Sequence, residues 1–225
     1  ASTLLVCKNG DVPSSDTEYD PPNLYGESKV IGEKMVRASK MDCSWVIVRP
    51  TSVWGPWFEH SYLTFFQMID RGLYFQPGYN PIIKPLNYVG NTVHMMQNLL
   101  LNPSNNVNGN TYYLGDYPEN SIQYWADLVR KNLGKGKTLS LPIPLIKVMA
   151  LIGDLLKKTF NINPPITTFR LNNMLTGSHY PLEKTEEVVG TLPFSMQDGV
   201  QQTLSWMYNQ KLIRNKPCSL AKIDE

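Results

Sequence analysis

With 225 residues, 42% of them hydrophobic and 18% charged, the chain is long enough to bury one large core or two small ones. Its net charge of +2, from 21 basic and 19 acidic residues scattered along the chain, excludes the basic stripe of a nucleic-acid or membrane-binding surface and points to a small-molecule partner. Three cysteines, Cys7, Cys43 and Cys218, are odd in number and widely spaced, which argues against a disulfide framework or a structural zinc site and fits a reducing cytoplasm.

In chain order, residues 1–7 (ASTLLVC) are apolar and β-prone, so the chain is expected to begin inside a strand. Residues 13–23, rich in Pro, Ser and Asp, form a loop that delivers the chain to a helix over 24–39. The continuous apolar run at 45–49 (WVIVR) suits a parallel strand buried on both faces. Strand, helix and strand make a βαβ unit, assigned here to residues 1–56, with 49–56 read as the turn that ends it. From 57 to 213 helices near 62–71, 93–101, 122–133, 145–158 and 196–209 alternate with strands at 86–89 and 111–114, which predicts a smaller mixed α/β lobe with segments returning to the sheet. Residues 214–225 are polar and unpatterned, and a mobile tail is expected there.

No run reaches the roughly 18 apolar residues of a membrane span, and no signal peptide is evident. Residues 143–156 (IPLIKVMALIGDLL) come nearest, but Lys147 and Asp154 interrupt them at helical spacing. That pattern predicts an amphipathic helix packed on a core or partner, rather than one lying on a membrane with a Lys- and Arg-rich polar face.

Tyr25 and Lys29, in YGESK, lie one helical turn apart on the same face. An ammonium so placed favours the charged form of a phenol, the requirement for a tyrosine base, and a hydroxyl of Ser2 or Thr3 would complete the set. The spacing by itself is common. A second Tyr-x-x-x-Lys, Tyr180 and Lys184, has Pro181 directly after the tyrosine, which disfavours helix there. Gly134 and Gly136 follow a helix and read as its C-cap rather than a phosphate loop. His60, His94 and His179 have no ligand spacing, so no metal is expected. Trp54 and Trp57 are read as core or rim aromatics that could also wall a pocket.

The segments STLLV, YGESKVIGE, VIVRPTSVWGP and LNYVGN, in that order and at these separations, together with LEKTEEVVGTLPFSMQDGVQQTLSWM, resemble the extended short-chain dehydrogenases, the nucleotide-sugar epimerases, dehydratases and related reductases. The resemblance implies the C-terminal part of a Rossmann-type parallel sheet domain plus a substrate-binding lobe. It implies Tyr25 as general base, Lys29 as the group that tunes it and grips the nicotinamide ribose, and Thr3, or Ser2 one register away, as the substrate hydroxyl partner. Pro50, Thr51 and Val53, in the Arg49-to-Pro56 segment, would meet the cofactor, NAD or NADP with NAD favoured; Ser52 and Lys84 would meet a nucleotide-sugar substrate.

Three departures accompany the resemblance. Leu4 and Leu5 stand where dehydratases carry acids, Ser52 replaces a frequent asparagine, and Asn91 replaces a frequent aspartate. The glycine-rich dinucleotide loop would lie upstream of Ala1, so the chain is expected to be N-terminally truncated. The implied activity is epimerisation of a nucleoside-diphosphate sugar through a transient keto sugar. A reductase or hydroxysteroid-type dehydrogenase, or a catalytically incomplete fragment, are the alternatives. A homodimer through the 24–39 helix is also implied.

Overall fold

The structure is a computed structural model that describes residues 1–8, 10–11, 13–40, 42–58, 61–101, 107–160, 162, 164 and 166–221. A single 3-10 turn at Leu4–Val6 is followed by α1 (Leu24–Ala38), β1 (Ile47–Pro50), β2 (Ser52–Trp54), α2 (Ser61–Asp70), β3 (Phe75–Pro77), β4 (Ile83–Lys84), β5 (Leu86–Tyr88) and α3 (Val89–Leu101). Then come β6 (Thr111–Leu114), β7 (Asn120–Ser121), α4 (Ile122–Asn132), β8 (Leu139–Leu141), α5 (Ile143–Phe160), α6 (Thr168–Leu175), α7 (Glu183–Val189), α8 (Met196–Asn209) and α9 (Cys218–Ala221).

The apolar run expected as a buried parallel strand is β1, which pairs in parallel with β6, Ile47 opposite Thr111. β2 pairs in parallel with β5, and β3 with β8, while β4 and β7 run antiparallel. The chain changes partner at Thr51: Thr51 N–H donates to Leu114 O at 2.8 Å, and Ser52 N–H donates to Pro85 O at 3.1 Å. One continuous path thus joins the β1–β6 pair to the β2–β5 pair. Residues 49–56, expected as a turn, therefore carry a further strand, because the backbone groups released by β6 are taken up by β5.

The first seven residues also depart from expectation. Ser2 N–H donates to Val48 O at 2.7 Å, so the chain runs beside β1. The Thr3 hydroxyl then accepts from Leu5 N–H at 3.3 Å and turns the chain into the 3-10 segment. A local side-chain bond of this kind competes with a strand ladder, which is why apolar composition alone misleads here. Helix α3 begins directly after β5, four residues before the expected start. Strands β3, β4, β7 and β8 and helices α6 and α7 were not expected, since elements this short show no periodicity. The tail is held where described: Arg214 and Asn215 backbone N–H groups donate to the buried Asp70 carboxylate at 2.9 and 3.1 Å, and α9 packs on α8. Gly134, at φ 67°, ends α4 as expected of a C-cap glycine.

An aromatic core gathers residues of β2, α2, α4 and α8. Trp54 and Trp125, both fully buried, sit 4.9 Å apart by ring centroids, and Phe65 stacks on Trp125 at 4.4 Å. Trp54 is thus core, whereas Trp57 is exposed and rests on Trp206 at 5.7 Å. Helix α5 buries only Ile146, Ala150 and Gly153; a Cβ on Gly153 would lie 2.0 Å from Ile166 O, so glycine permits the close approach. Among the described residues no helix is long and apolar enough to cross a membrane.

Helix α1 is fixed to the sheet by a buried ion pair. Arg49 of β1, with no exposed surface, donates from Nε and Nη2 to the two Glu33 carboxylate oxygens at 2.9 and 2.8 Å. Its Nη1 donates to Tyr113 Oη at 2.8 Å, and Nη2 also reaches Asp16 O at 2.8 Å. Tyr19 Oη donates to Glu33 as well, at 3.1 Å. Burial is the largest single influence and pushes the Glu33 carboxyl upward, but the hydrogen bond and charge of Arg49 together with the neighbouring hydroxyls outweigh it and hold the group below its usual range. Removing one partner of such a pair strands a buried charge. Glu33→Ala is therefore expected to lower stability by about 3–5 kcal/mol, and Glu33→Ala with Arg49→Met to regain part of that loss, read from urea-unfolding midpoints.

Candidate functional site

The site begins at the N-terminus of α1. Asn23 caps the helix, its Oδ1 accepting from Gly26 N–H at 2.9 Å. Gly26 lets the helix press against the 3-10 turn, since a Cβ there would lie 2.1 Å from Leu5 O. This close approach brings the first turns of α1 beside Ala1, Ser2 and Thr3.

Lys29 faces that junction, with Tyr25 one helical turn before it. The Lys29 ammonium lies 5.8 Å from the Tyr25 ring centroid and 3.4 Å from Ala1 O, to which it donates. Tyr25 is half exposed and Lys29 partly buried. Ser2 is buried, whereas Thr3 stays partly exposed at the end of the segment beside β1. The contact between α1 and the 3-10 turn therefore brings the Lys29 ammonium to the Ala1 carbonyl, with the Tyr25 ring beside that ammonium.

Pro50, Thr51, Ser52 and Val53 lie at the carboxyl end of β1, where the chain switches strands. Thr51 is buried, and Ser52 and Val53 are partly exposed. Open α/β sheets receive ligands outside the carboxyl ends of their parallel strands. Lys84 sits elsewhere: in β4, opposite Asn120, its ammonium donates to Asn173 O at 2.5 Å, and burial lowers its pKa. It joins the β4–β7 pair to α6 rather than to the Tyr25 group.

The second Tyr-x-x-x-Lys is not a pair. Tyr180 is buried outside any helix, and Lys184, in α7, donates to Asn110 Oδ1 at 2.9 Å. His94 contacts Asn98, His179 contacts Glu119, and His60 lies outside the described residues. Among the described residues no three His, Cys, Asp or Glu side chains gather as a metal site would require.

Sequence reasoning missed the role of Asp116. Its carboxylate accepts from Tyr88 N–H and from Asn91 Nδ2, both at 2.9 Å, while Asn91 also exchanges bonds with the Phe194 backbone. Asn91 is thus a buried clamp between α3 and the segment leading to α8. An open cleft of about 610 Å³ runs past Asn91, Asp116, Tyr124 and Phe194, and none of the residues expected to act lines it. The only signal for Asp116 in the sequence was its position after an apolar strand.

A Rossmann-type α/β fold with a Tyr-x-x-x-Lys helix against the strand ends defines the short-chain dehydrogenase class. The chain belongs to the 3-beta hydroxysteroid dehydrogenase/isomerase family, whose model matches residues 7–145. It is 23% identical to N-acetyl-alpha-D-glucosaminyl-diphospho-ditrans,octacis-undecaprenol 4-epimerase of Escherichia coli O157:H7, over 92% of this chain and 64% of that protein. The chain therefore spans a little under two thirds of this curated relative. Among solved structures it resembles UDP-glucuronic acid 4-epimerase from Bacillus cereus in complex with UDP-glucuronic acid and NAD, at TM-score 0.60 and 18% identity, over 94% of this chain and 60% of that one. It also resembles the NAD complex of dTDP-glucose 4,6-dehydratase from Bacillus anthracis, at TM-score 0.60 and 13% identity, over 93% and 61%.

Burial raises the Asp116 carboxyl to about 6, against the opposing bonds from Asn91 and Tyr88. An aspartate raised in the folded state binds protons there that the unfolded chain does not, so folding stability should fall as pH rises from about 4 to about 6. The expected slope is about 1.4 kcal/mol per pH unit. Glu33 acts with the opposite sign, its contribution being lost only below the ordinary carboxylate range. Urea midpoints measured across pH 4 to 6 should show the slope in the wild type and a flatter profile in Asp116→Asn.

Proposed function

We propose that the intact protein is an NAD-dependent epimerase of a nucleoside-diphosphate sugar, with Tyr25 as the acid-base group. The observation that carries this reading is the placement of the Lys29 ammonium between the Tyr25 ring and the Ala1 carbonyl. The residue types suit the cofactor: an ammonium and a hydroxyl are donors a ribose can use, and Pro50, Thr51 and Val53, at the carboxyl end of β1, offer backbone to a flat ring. When bound, a nicotinamide supplies the hydride acceptor and donor for the reacting carbon.

Tyr25 Oη takes the proton from the sugar hydroxyl, and the Lys29 charge stabilises the negative charge carried on the phenol oxygen. Thr3 Oγ1 accepts from Leu5 N–H but keeps its own proton, which it donates to the same sugar oxygen and so orients it. After the keto sugar presents its other face, Tyr25 returns the proton. Ser2 backs the Thr3 segment, and Ser52, beside the carboxyl end of β1, is the substrate contact this reading keeps. Leu24, Ile31 and Met35 form an exposed apolar stripe along α1, which supports a homodimer through that helix. The reading places the protein in the cytoplasm.

The family match favours a second reading, a dehydrogenase that consumes its cofactor. Progress curves on a panel of nucleotide sugars separate the two: the epimerase interconverts sugars without net NADH, and the dehydrogenase accumulates or depletes it. In the epimerase, Tyr25→Phe should lower kcat by about 10²–10⁴-fold while KM changes little. Undiminished turnover in that variant would remove Tyr25 from the mechanism.

A further inference from the structure

The cleft past Asn91 and Asp116 shares no residue with the Tyr25 group, and its charge has one sign. Its wall, enclosing about 610 Å³, is made by the loop after β6, the first turn of α4, α7 and the segment that enters α8. Among the described residues that wall holds two carboxylates, Asp116 and Glu186, and no lysine, arginine or histidine. Tyr117, Tyr124 and Phe194 supply three aromatic rings.

Asp116 is a buried anion without a counter-charge. It is 8% exposed, and each carboxylate oxygen accepts from a neutral donor, Oδ1 from Asn91 Nδ2 and Oδ2 from Tyr88 N–H, both at 2.9 Å. Among the described residues no ammonium or guanidinium forms an ion pair with it. A buried charge is ordinarily met by an opposite one, and where it is not, burial raises the carboxyl, here to about 6. The phenols beside it register the same negative field. Tyr117, on its own loop, is pushed up to about 12, first by burial and then by Glu186 of α7 and by Asp116. Tyr88 of β5 is raised by burial, then by Asp198 of α8 and by Asp116. A negative potential beside aromatic faces, with no cation of the protein to fill it, suits a positive ligand with an apolar body.

We propose that this cleft binds a small alkylammonium ligand, its charged nitrogen beside Asp116 and Glu186 and its carbon chain against Tyr117, Tyr124 and Phe194. The N–H groups of an ammonium can use the carboxylate lone pairs that Asn91 and Tyr88 leave open, and an aromatic face attracts the same charge within about 6 Å. A bare metal ion is less well served, since among the described residues no three ligating side chains gather. Because Asn91 bonds both Asp116 and the Phe194 carbonyl, a ligand here would brace the two segments that this clamp ties together.

Titration calorimetry with cadaverine, and with pentanediol as its uncharged counterpart, tests this. The diamine is expected to bind saturably and the diol not to bind. Glu186 and Tyr124 are exposed, so changing them tests the cleft independently of the buried clamp. Glu186→Gln should weaken the diamine by about 2–5-fold, as loss of one partly solvated charge. Tyr124→Ala should weaken it by a similar factor of about 2–5, as loss of one ring face. Asp116→Asn should weaken it by about tenfold or more. An ammonium favours the ionised form of Asp116, so at pH 6 binding should release up to about half a proton per site, read from the heats in two buffers of different ionisation enthalpy. That release should vanish in Asp116→Asn. No saturable binding of the diamine, equal binding of the diol, or a diamine affinity that neither Glu186→Gln nor Tyr124→Ala lowers would each overturn the proposal.

Discussion

The bidentate contact between Glu33 and Arg49 is the constraint on which the placement of the site depends. A guanidinium with no exposed surface has to have its charge and donors met within the protein, and Glu33, Tyr113 and the Asp16 carbonyl meet them. Because Glu33 is on α1 and Arg49 on β1, satisfying that charge sets the helix's rotation and its distance from the sheet. Tyr25 and Lys29 precede Glu33 by two turns and one turn on the same helix face, so the orientation imposed on Glu33 is passed to them. The planar fork of arginine defines direction as well as attraction, which a lysine at this position would not reproduce.

A second constraint works from the other side of the junction. The loop before α1 is drawn in by Arg49 and by the Tyr19 hydroxyl, and Gly26 admits the 3-10 turn to within backbone contact. Downstream, the change of strand partner at Thr51 couples the sheet to the aromatic core around Trp54 and Trp125. The residues that gather at the carboxyl end of β1 are therefore positioned by packing on both sides of them. The Asp116 and Asn91 clamp extends the same logic to α8, tying two chain segments more than a hundred residues apart through buried polar groups that burial alone would penalise.

Much of this was legible in the chain. The apolar run at β1, the helix carrying Tyr25 and Lys29, the C-cap at Gly134 and the long helix α5 are local patterns, written in periodicity and in residues that cap or break elements. The first seven residues were misread because their composition suits a strand equally well, and only the Thr3 hydroxyl bond to Leu5 turns them. Segment 49–56 was misread because a turn and a strand exchange of partners share the same Pro and Gly punctuation. Two-residue strands such as β4 and β7 carry no periodic signal at all.

By itself the sequence determined the long helices, the buried strand β1, the Tyr-x-x-x-Lys spacing and the family, since these follow from local chemistry and from residues read in line. Only the tertiary structure decided that Arg49 is a buried structural charge, that Asp116 and Asn91 clamp distant segments, and that α5 has two apolar faces with one of them uncovered. Burial and partnership are properties of what lies across the fold from a residue. No spacing along the chain contains them, and the free energy of a charge or a leucine depends on them more than on its neighbours in sequence.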